Sequence, residues 1–191
     1  MSHEFEPDDA TGTLQDESNV AVEYERKGYE LVQGNWAEKS MSNAAGIVEG
    51  HLMVAVGAFV RASRLGLVFS ESAMYQMFAE QPKLVRKPDL SFVRNGRLEG
   101  DRAPTGKMQL APDLAVEVIS PTDIAEGVET KLDEYLRAGV RLVWVVYVPT
   151  RQVWAYRTDG TARLYRTADI LTGEDVLPGF MVPVAELFEG V

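Results

Sequence analysis

Apolar residues between positions 43 and 63 recur with the period of a helix. They lie at spacings of three and four from Val48 to Val60, which forms a wide apolar stripe along one side of the segment. Ser42 precedes the run and is a residue type that caps helix N-termini. The pattern therefore predicts a mostly buried helix over about residues 43–63.

Several extended segments follow this helix. Apolar and β-branched runs predict strands over residues 67–70, 73–78 and 84–93. Residues 94–110 are polar and rich in Gly, Pro and Lys, which predicts a long loop. Residues 112–119 alternate with the period of a strand, so Leu114, Val116 and Val118 face one way and the intervening residues face the other.

The next segment has the helix and strand order of a parallel crossover. Ser120, Pro121 and Asp123 have the residue types of a helix start, and Gly139 is typical of a helix end. The apolar run over residues 142–148 is typical of a strand buried on both faces. Strand, helix and strand in this order predict a right-handed connection between two parallel strands.

The remaining patterns complete the predicted domain. Residues 152–157 and 162–166 predict an antiparallel meander, and two short runs around Gly34 and Asn35 predict an edge hairpin. Residues 1–18 contain six acids and no Lys or Arg, which predicts a disordered tail. We therefore expect residues 19–191 to form one mixed-sheet α/β (α+β) domain.

The composition excludes several classes of chemistry. The chain has no cysteine, which excludes disulfides, zinc–thiolate sites, iron–sulfur clusters and cysteine nucleophiles. Its two histidines, His3 and His51, are too few for a three-histidine metal site, and His51 is expected to be a packed helix residue. The formal charge of −10 argues against a generic basic nucleic-acid coat.

The sequence also carries an expectation about location. The longest apolar run, Leu52 to Val60, is shorter than the roughly 18–20 residues that a membrane-spanning helix needs. The N-terminus is acidic where a signal peptide would be basic and then apolar. We expect a cytoplasmic protein that does not span a membrane.

Four ionisable residues stand where the pattern favours apolar ones. Glu49 is in register with the apolar stripe of the first helix, and Lys131 lies on the inward side of the second. Glu117 and Asp89 each lie within a predicted strand. Buried charges are costly unless they are paired or bind a metal, so these four are candidate site residues. A helix position at the edge of the core explains Glu49 equally well. Lys131 could also be a surface residue in an ion pair.

Three blocks of sequence resemble a known family. Lys87-Pro88-Asp89 is followed by the block from Ala111 to Pro121, then by the block from Lys131 to Val140, and then by a strand that contains Trp144. This order is similar to that of the Uma-type restriction endonuclease family of the PD-(D/E)XK nuclease superfamily, and the resemblance runs from about residue 29 to about residue 188. It implies a restriction-endonuclease-like mixed sheet flanked by helices, with antiparallel hairpins added.

The resemblance also implies a role for each candidate residue. Asp89 and Glu117 correspond to the acids that bind Mg²⁺, for which Mn²⁺ could substitute, and Lys131 corresponds to the lysine that positions the attacking water. A backbone carbonyl beside Val118 would complete the protein's ligands, and Glu49 could hold a second ion or a metal-bound water. The superfamily's usual lysine position, two residues after the glutamate, is occupied by Ile119, so Lys131 has to reach in from the following helix.

Basic residues are concentrated in two stretches. Residues 81–107 contain seven basic residues and three acids, and residues 137–166 contain six arginines and one acid. A basic surface beside an acidic metal pocket would suit a nucleic-acid backbone. The arginines are also explained as solubilising residues on exposed strands.

These observations favour a Mg²⁺-dependent endonuclease that hydrolyses phosphodiester bonds in DNA. The alternative is a catalytically silent nucleic-acid-binding or assembly module, which could form a homodimer through an exposed strand or the N-terminal hairpin. A silent module would be expected to have lost Asp89, Glu117 or Lys131, and the chain retains all three. A third hypothesis is a metal-dependent hydrolase of another phosphate ester.

Overall fold

The computed structural model describes residues 29–32, 34–38, 42–120 and 123–191. The predicted tail over residues 1–18 therefore lies outside the described residues. The N-terminal hairpin is confirmed, with β1 (Tyr29–Val32) paired antiparallel to β2 (Asn35–Glu38).

The largest sheet among the described residues has six strands in the order β3-β4-β5-β6-β7-β8. Its strands are β3 (Gly66–Ser70), β4 (Leu90–Arg94), β5 (Leu114–Ile119), β6 (Leu142–Tyr147), β7 (Gln152–Arg157) and β8 (Ala162–Tyr165). Strands β5 and β6 run parallel and are connected through helix α2 (Ala125–Arg137), whereas the other neighbours are antiparallel. The mixed α/β sheet that the sequence predicted is confirmed.

One face of this sheet packs against helix α1 (Asn43–Ser63). The Ser42 hydroxyl accepts a hydrogen bond from the Ala45 amide at 3.1 Å and so caps the helix. Five buried side chains of α1 contact the inward residues of β4, β5 and β6: Ala45, Val48, Leu52, Val56 and Val60. By length and composition alone α1 could cross a membrane, but a core helix of this kind passes the same test.

The other face of the sheet packs against α2. Tyr135 is fully buried there against Ala115, Val143 and Val145. Because residues alternate along β5, Glu117 lies on this same face. The sheet thus separates the α1 core from the layer that contains the candidate glutamate.

The C-terminal segment forms a further antiparallel pair that the sequence patterns did not predict. Strand β9 (Ile170–Gly173) pairs with β10 (Leu177–Pro183), and a short helix α3 (Val184–Leu187) follows. Phe180 packs against Trp144 at a ring-centroid distance of 5.8 Å. This pair therefore covers the α1 side of the core.

The structure corrects the predicted strands before β4. Residues 73–78 form no strand, because Tyr75 makes single bridges to Arg86 and to Met108 and the pairing does not extend along the segment. The predicted strand over residues 84–93 begins only at Leu90 for the same reason.

The start of helix α2 is also corrected. The helix begins at Ala125, because the Ser120 amide donates to the Asp123 carboxylate at 2.7 Å and the Asp123 amide donates back to the Ser120 carbonyl at 3.2 Å. These two bonds tie Asp123 to Ser120, which directly follows β5. The polar residues that suggested a helix cap therefore shape the loop that leads to the site.

A glycine substitution tests the close contact between β3 and β4. A Cβ at Gly66 would lie 2.1 Å from the Val93 carbonyl oxygen, so Gly66→Ala is expected to lower the free energy of unfolding by about 1–3 kcal/mol. In helix α1, a Cβ at Gly57 meets nothing within 4 Å, so Gly57→Ala is expected to raise it by about 0.5–1 kcal/mol. Urea unfolding measures the free energy of unfolding of both variants. Equal changes in the two variants would contradict the prediction.

Candidate active site

The pairing of β4 with β5 places Asp89 next to Glu117. The Asp89 amide donates to the Val116 carbonyl at 3.0 Å, and the Asp89 carboxylate accepts from the Val118 amide at 2.7 Å. These two partners flank Glu117 in the sequence of β5. The backbone register therefore places Asp89, directly before β4, beside Glu117 of β5, and both residues line one pocket.

Helix α2 holds both oxygens of the Glu117 carboxylate. The Tyr135 hydroxyl donates to Oε1 at 2.7 Å, and the Lys131 ammonium donates to Oε2 at 3.1 Å. Burial and the Glu117 charge raise the pKa of Tyr135 well above its ordinary value, so the tyrosine stays protonated and remains a donor. The side chain of Glu117 is thus fixed from two directions.

Lys131 lies between two glutamates. Its Nζ is 3.1 Å from a carboxylate oxygen of Glu117 and 3.1 Å from a carboxylate oxygen of Glu30 in β1. Burial alone would lower the pKa of Lys131, but the charges of Glu117, Glu30 and Asp89 outweigh burial and raise it above its ordinary value. The surrounding carboxylates therefore favour the ammonium form of Lys131.

A buried ion-pair network supports this arrangement from behind. Arg86 is 3% exposed and pairs with Glu134 through Nε and with Glu30 through its NH1 nitrogen. The second oxygen of Glu30 accepts from the Lys87 amide at 3.0 Å. Charges of Glu134 and Glu30 raise the pKa of Arg86 against the opposing effect of burial.

Four residues that hold the site were not predicted from the sequence. Arg86 was assigned to a basic surface stretch, and Glu30, Glu134 and Tyr135 were not recognised as part of a site. One available signal was a charged residue between the apolar residues of a short strand, as at Glu30.

The site opens into a pocket of about 500 Å³ between the N-terminal hairpin and the first turns of α2. Apolar walls come from both sides, with Val32 and Ala37 on the hairpin and Ile124 and Val128 at the start of α2. The ionisable residues of its described lining are five acids and two bases: Glu30, Asp89, Glu117, Asp123, Glu126, Arg86 and Lys131. The pocket is therefore acidic.

The structure does not bring every predicted residue to this pocket. Glu49 is half-buried in α1, which packs on the opposite face of the sheet from Glu117, and it is not among the described residues that line the pocket. A metal role for Glu49 stays a prediction. His51 lies 3.1 Å from the Leu187 carbonyl oxygen, consistent with a packed helix residue.

Part of the predicted basic surface is paired within the protein. Five arginines from the two basic stretches have carboxylate partners: Arg86, Arg97, Arg137, Arg141 and Arg157. Asp113, the partner of Arg97, also accepts from the Arg94 amide at 2.9 Å and serves the fold. The local excess of arginine in the sequence therefore overstates the positive charge available to a nucleic acid.

Comparisons with known proteins identify a family and a similar fold. A family model described as "Uma2: Putative restriction endonuclease" matches residues 16–185. Among solved structures, the chain is similar to a "putative nuclease belonging to DUF820" from Anabaena variabilis ATCC 29413. The TM-score is 0.70 at 18% sequence identity, with 84% of this chain and 89% of that chain covered, which shows a shared fold. A search of curated proteins found no match.

Proposed function

Because the chain belongs to the Uma2 family, we propose that its acidic pocket hydrolyses phosphodiester bonds in DNA with Mg²⁺ as cofactor. The family membership confirms the resemblance inferred from the sequence. The observation that carries the proposal is the set of Asp89, Glu117 and Lys131, which come from separate elements and line the same pocket.

The residues of the pocket fit a hard divalent cation. Mg²⁺ is usually held by one or two carboxylates, with waters and substrate phosphates completing its shell. Among the described residues, no three His, Asp or Glu side chains are grouped to hold a metal ion by themselves. Asp89 and Glu117 would thus supply two carboxylates, and the excess of acids over bases in the lining favours a cation there. Mn²⁺ prefers the same oxygen ligands and would substitute.

Each residue then has a role that its contacts support. A bound Mg²⁺ would lower the pKa of a coordinated water and polarise a phosphate oxygen. Tyr135 keeps the Glu117 carboxylate in one orientation. Lys131, held as an ammonium, would orient the attacking water or stabilise charge on the phosphate. Glu49 lies in α1 on the other face of the sheet and is not among the described residues that line this pocket, so the arrangement assigns it no role here.

The alternative is a silent module that keeps the fold. The contacts within the site favour the enzyme, because a binding module has no need of a lysine held against two buried carboxylates. Buried charges of this kind cost stability unless they serve a purpose.

Plasmid nicking tests the proposal directly. The wild-type protein is expected to nick supercoiled DNA in Mg²⁺ or Mn²⁺ and to lose this activity in EDTA, while calorimetry detects binding of the metal alone. Metal binding without nicking would point to another phosphate ester. No metal binding and no nicking would favour the silent module.

A further inference from the structure

Glu30 connects the N-terminal hairpin to the candidate site. Its side chain is 3% exposed, and its carboxylate receives the Lys131 ammonium at 3.1 Å, the Arg86 guanidinium at 3.2 Å and the Lys87 amide at 3.0 Å. Two of these donors are anchored in the chain just before Asp89. Glu30 is therefore held rigidly while it contacts Lys131.

Lys131 forms an ion pair with both Glu30 and Glu117. The two carboxylate oxygens lie at the same distance, 3.1 Å, from its Nζ. A divalent cation bound to Glu117 would compete with the ammonium for the same Oε2 atom, because both interactions are electrostatic. The ammonium needs a second anchor if it is to stay in the site once a metal has arrived.

We propose that Glu30 is a positioning residue that retains Lys131 in the pocket when a divalent cation occupies Glu117. This rests on the proposed function for the metal and the substrate. In this role Glu30 acts through the Lys131 ammonium, which it contacts directly. The N-terminal hairpin is thereby a functional part of the site as well as a wall of the pocket.

If Glu30 had a purely structural role, it would act through its ion pair with Arg86 and not through Lys131. Glu134 provides the matched control, because it is the other carboxylate of Arg86 and no contact with Lys131 is found for it. Glu134→Gln weakens the Arg86 network but leaves both carboxylate partners of Lys131. Glu30→Gln weakens the same network and also removes one charged partner of Lys131.

Side-chain NMR of ¹⁵N-lysine-labelled protein separates the two roles. A salt-bridged ammonium is protected from exchange with water, and the Lys131 signal is identified by its absence in Lys131→Met. On addition of Mg²⁺, we expect this signal to persist in wild type and in Glu134→Gln and to vanish in Glu30→Gln. Loss of the signal in wild type, or its survival in Glu30→Gln, would overturn the positioning role.

The kinetics of plasmid nicking provide a second test of the role proposed for Glu30. Glu30→Gln is expected to lower kcat for plasmid nicking about tenfold with little change in KM, as for a residue that orients a reacting group. In a Lys131→Met background the same substitution is expected to change kcat by less than about twofold. Equal effects in both backgrounds would overturn the proposal. No nicking by wild type, with the NMR pattern as expected, would overturn the proposed function and leave the positioning of Lys131 in place.

Discussion

The Asp89→Asn variant is expected to lose metal-dependent nicking by about a hundredfold or more while keeping its fold. Asparagine retains an oxygen that can accept from the Val118 amide, so the register of β4 and β5 is preserved. It lacks the negative charge that a divalent cation requires, and electrostatic stabilisation at a phosphoryl centre is worth several kcal/mol. Nicking rates and calorimetric Mn²⁺ titration on the same samples measure both consequences.

Glu117→Gln tests the second acid by the same logic. Glutamine keeps an acceptor for the Tyr135 hydroxyl, so the side chain stays oriented, but it no longer attracts a cation. Asp133→Asn is the matched control, since Asp133 is exposed on α2 and pairs with Arg137 outside the pocket. We expect the control to nick at the wild-type rate. Full activity of either Asp89→Asn or Glu117→Gln, with the fold intact, would remove that acid from the proposed site.

The local patterns around Glu117 and Lys131 predicted that both face inward, whereas the place of Asp89 beside Glu117 was implied by the family resemblance. Alternation along β5 put Glu117 on a defined face, and the helical period put Lys131 on the inward side of α2. The crossover between parallel strands then requires α2 to cover that face. A contact between Glu117 and Lys131 therefore follows from secondary structure and topology together.

Glu30 and Arg86 could not be placed in this way. Strand β1 has four residues, and apart from the hairpin its backbone pairing among the described residues is a single bridge between Leu31 and Val85. A strand this short has no periodicity that separates a buried face from an exposed one. Glu30 and Arg86 are buried by tertiary contacts, which local sequence patterns do not show. Without those contacts, the charge of Arg86 suggested a surface position.

Ion pairs within the protein explain why the number of arginines overstated the positive charge available on the surface. Arg157 pairs with Glu174 and Arg141 with Asp175, and both acids lie in the β9–β10 region. The acids and the arginines are distant in sequence, so each stretch looked unbalanced when considered alone. Electrostatic complementarity across the fold cannot be seen from local charge density.

Arg86→Met is expected to be the most destabilising substitution at the base of the site. It leaves Glu30 and Glu134 buried with their shared cation removed, and breaking a buried pair in this way costs about 3–5 kcal/mol. Methionine fills part of the volume of the arginine side chain, so the loss reports mainly on charge. Urea unfolding followed by circular dichroism measures the change.

Two further variants separate the charge effect from general sensitivity. Arg141→Met removes an exposed pair, with Arg141 41% and Asp175 77% exposed, and should cost about 0.2–1 kcal/mol. Adding Glu134→Leu to Arg86→Met removes one stranded carboxylate and should restore part of the lost stability, because an apolar replacement of a buried pair is often close to neutral. If Arg86→Met costs no more than Arg141→Met, the network behind Lys131 is not holding the site together.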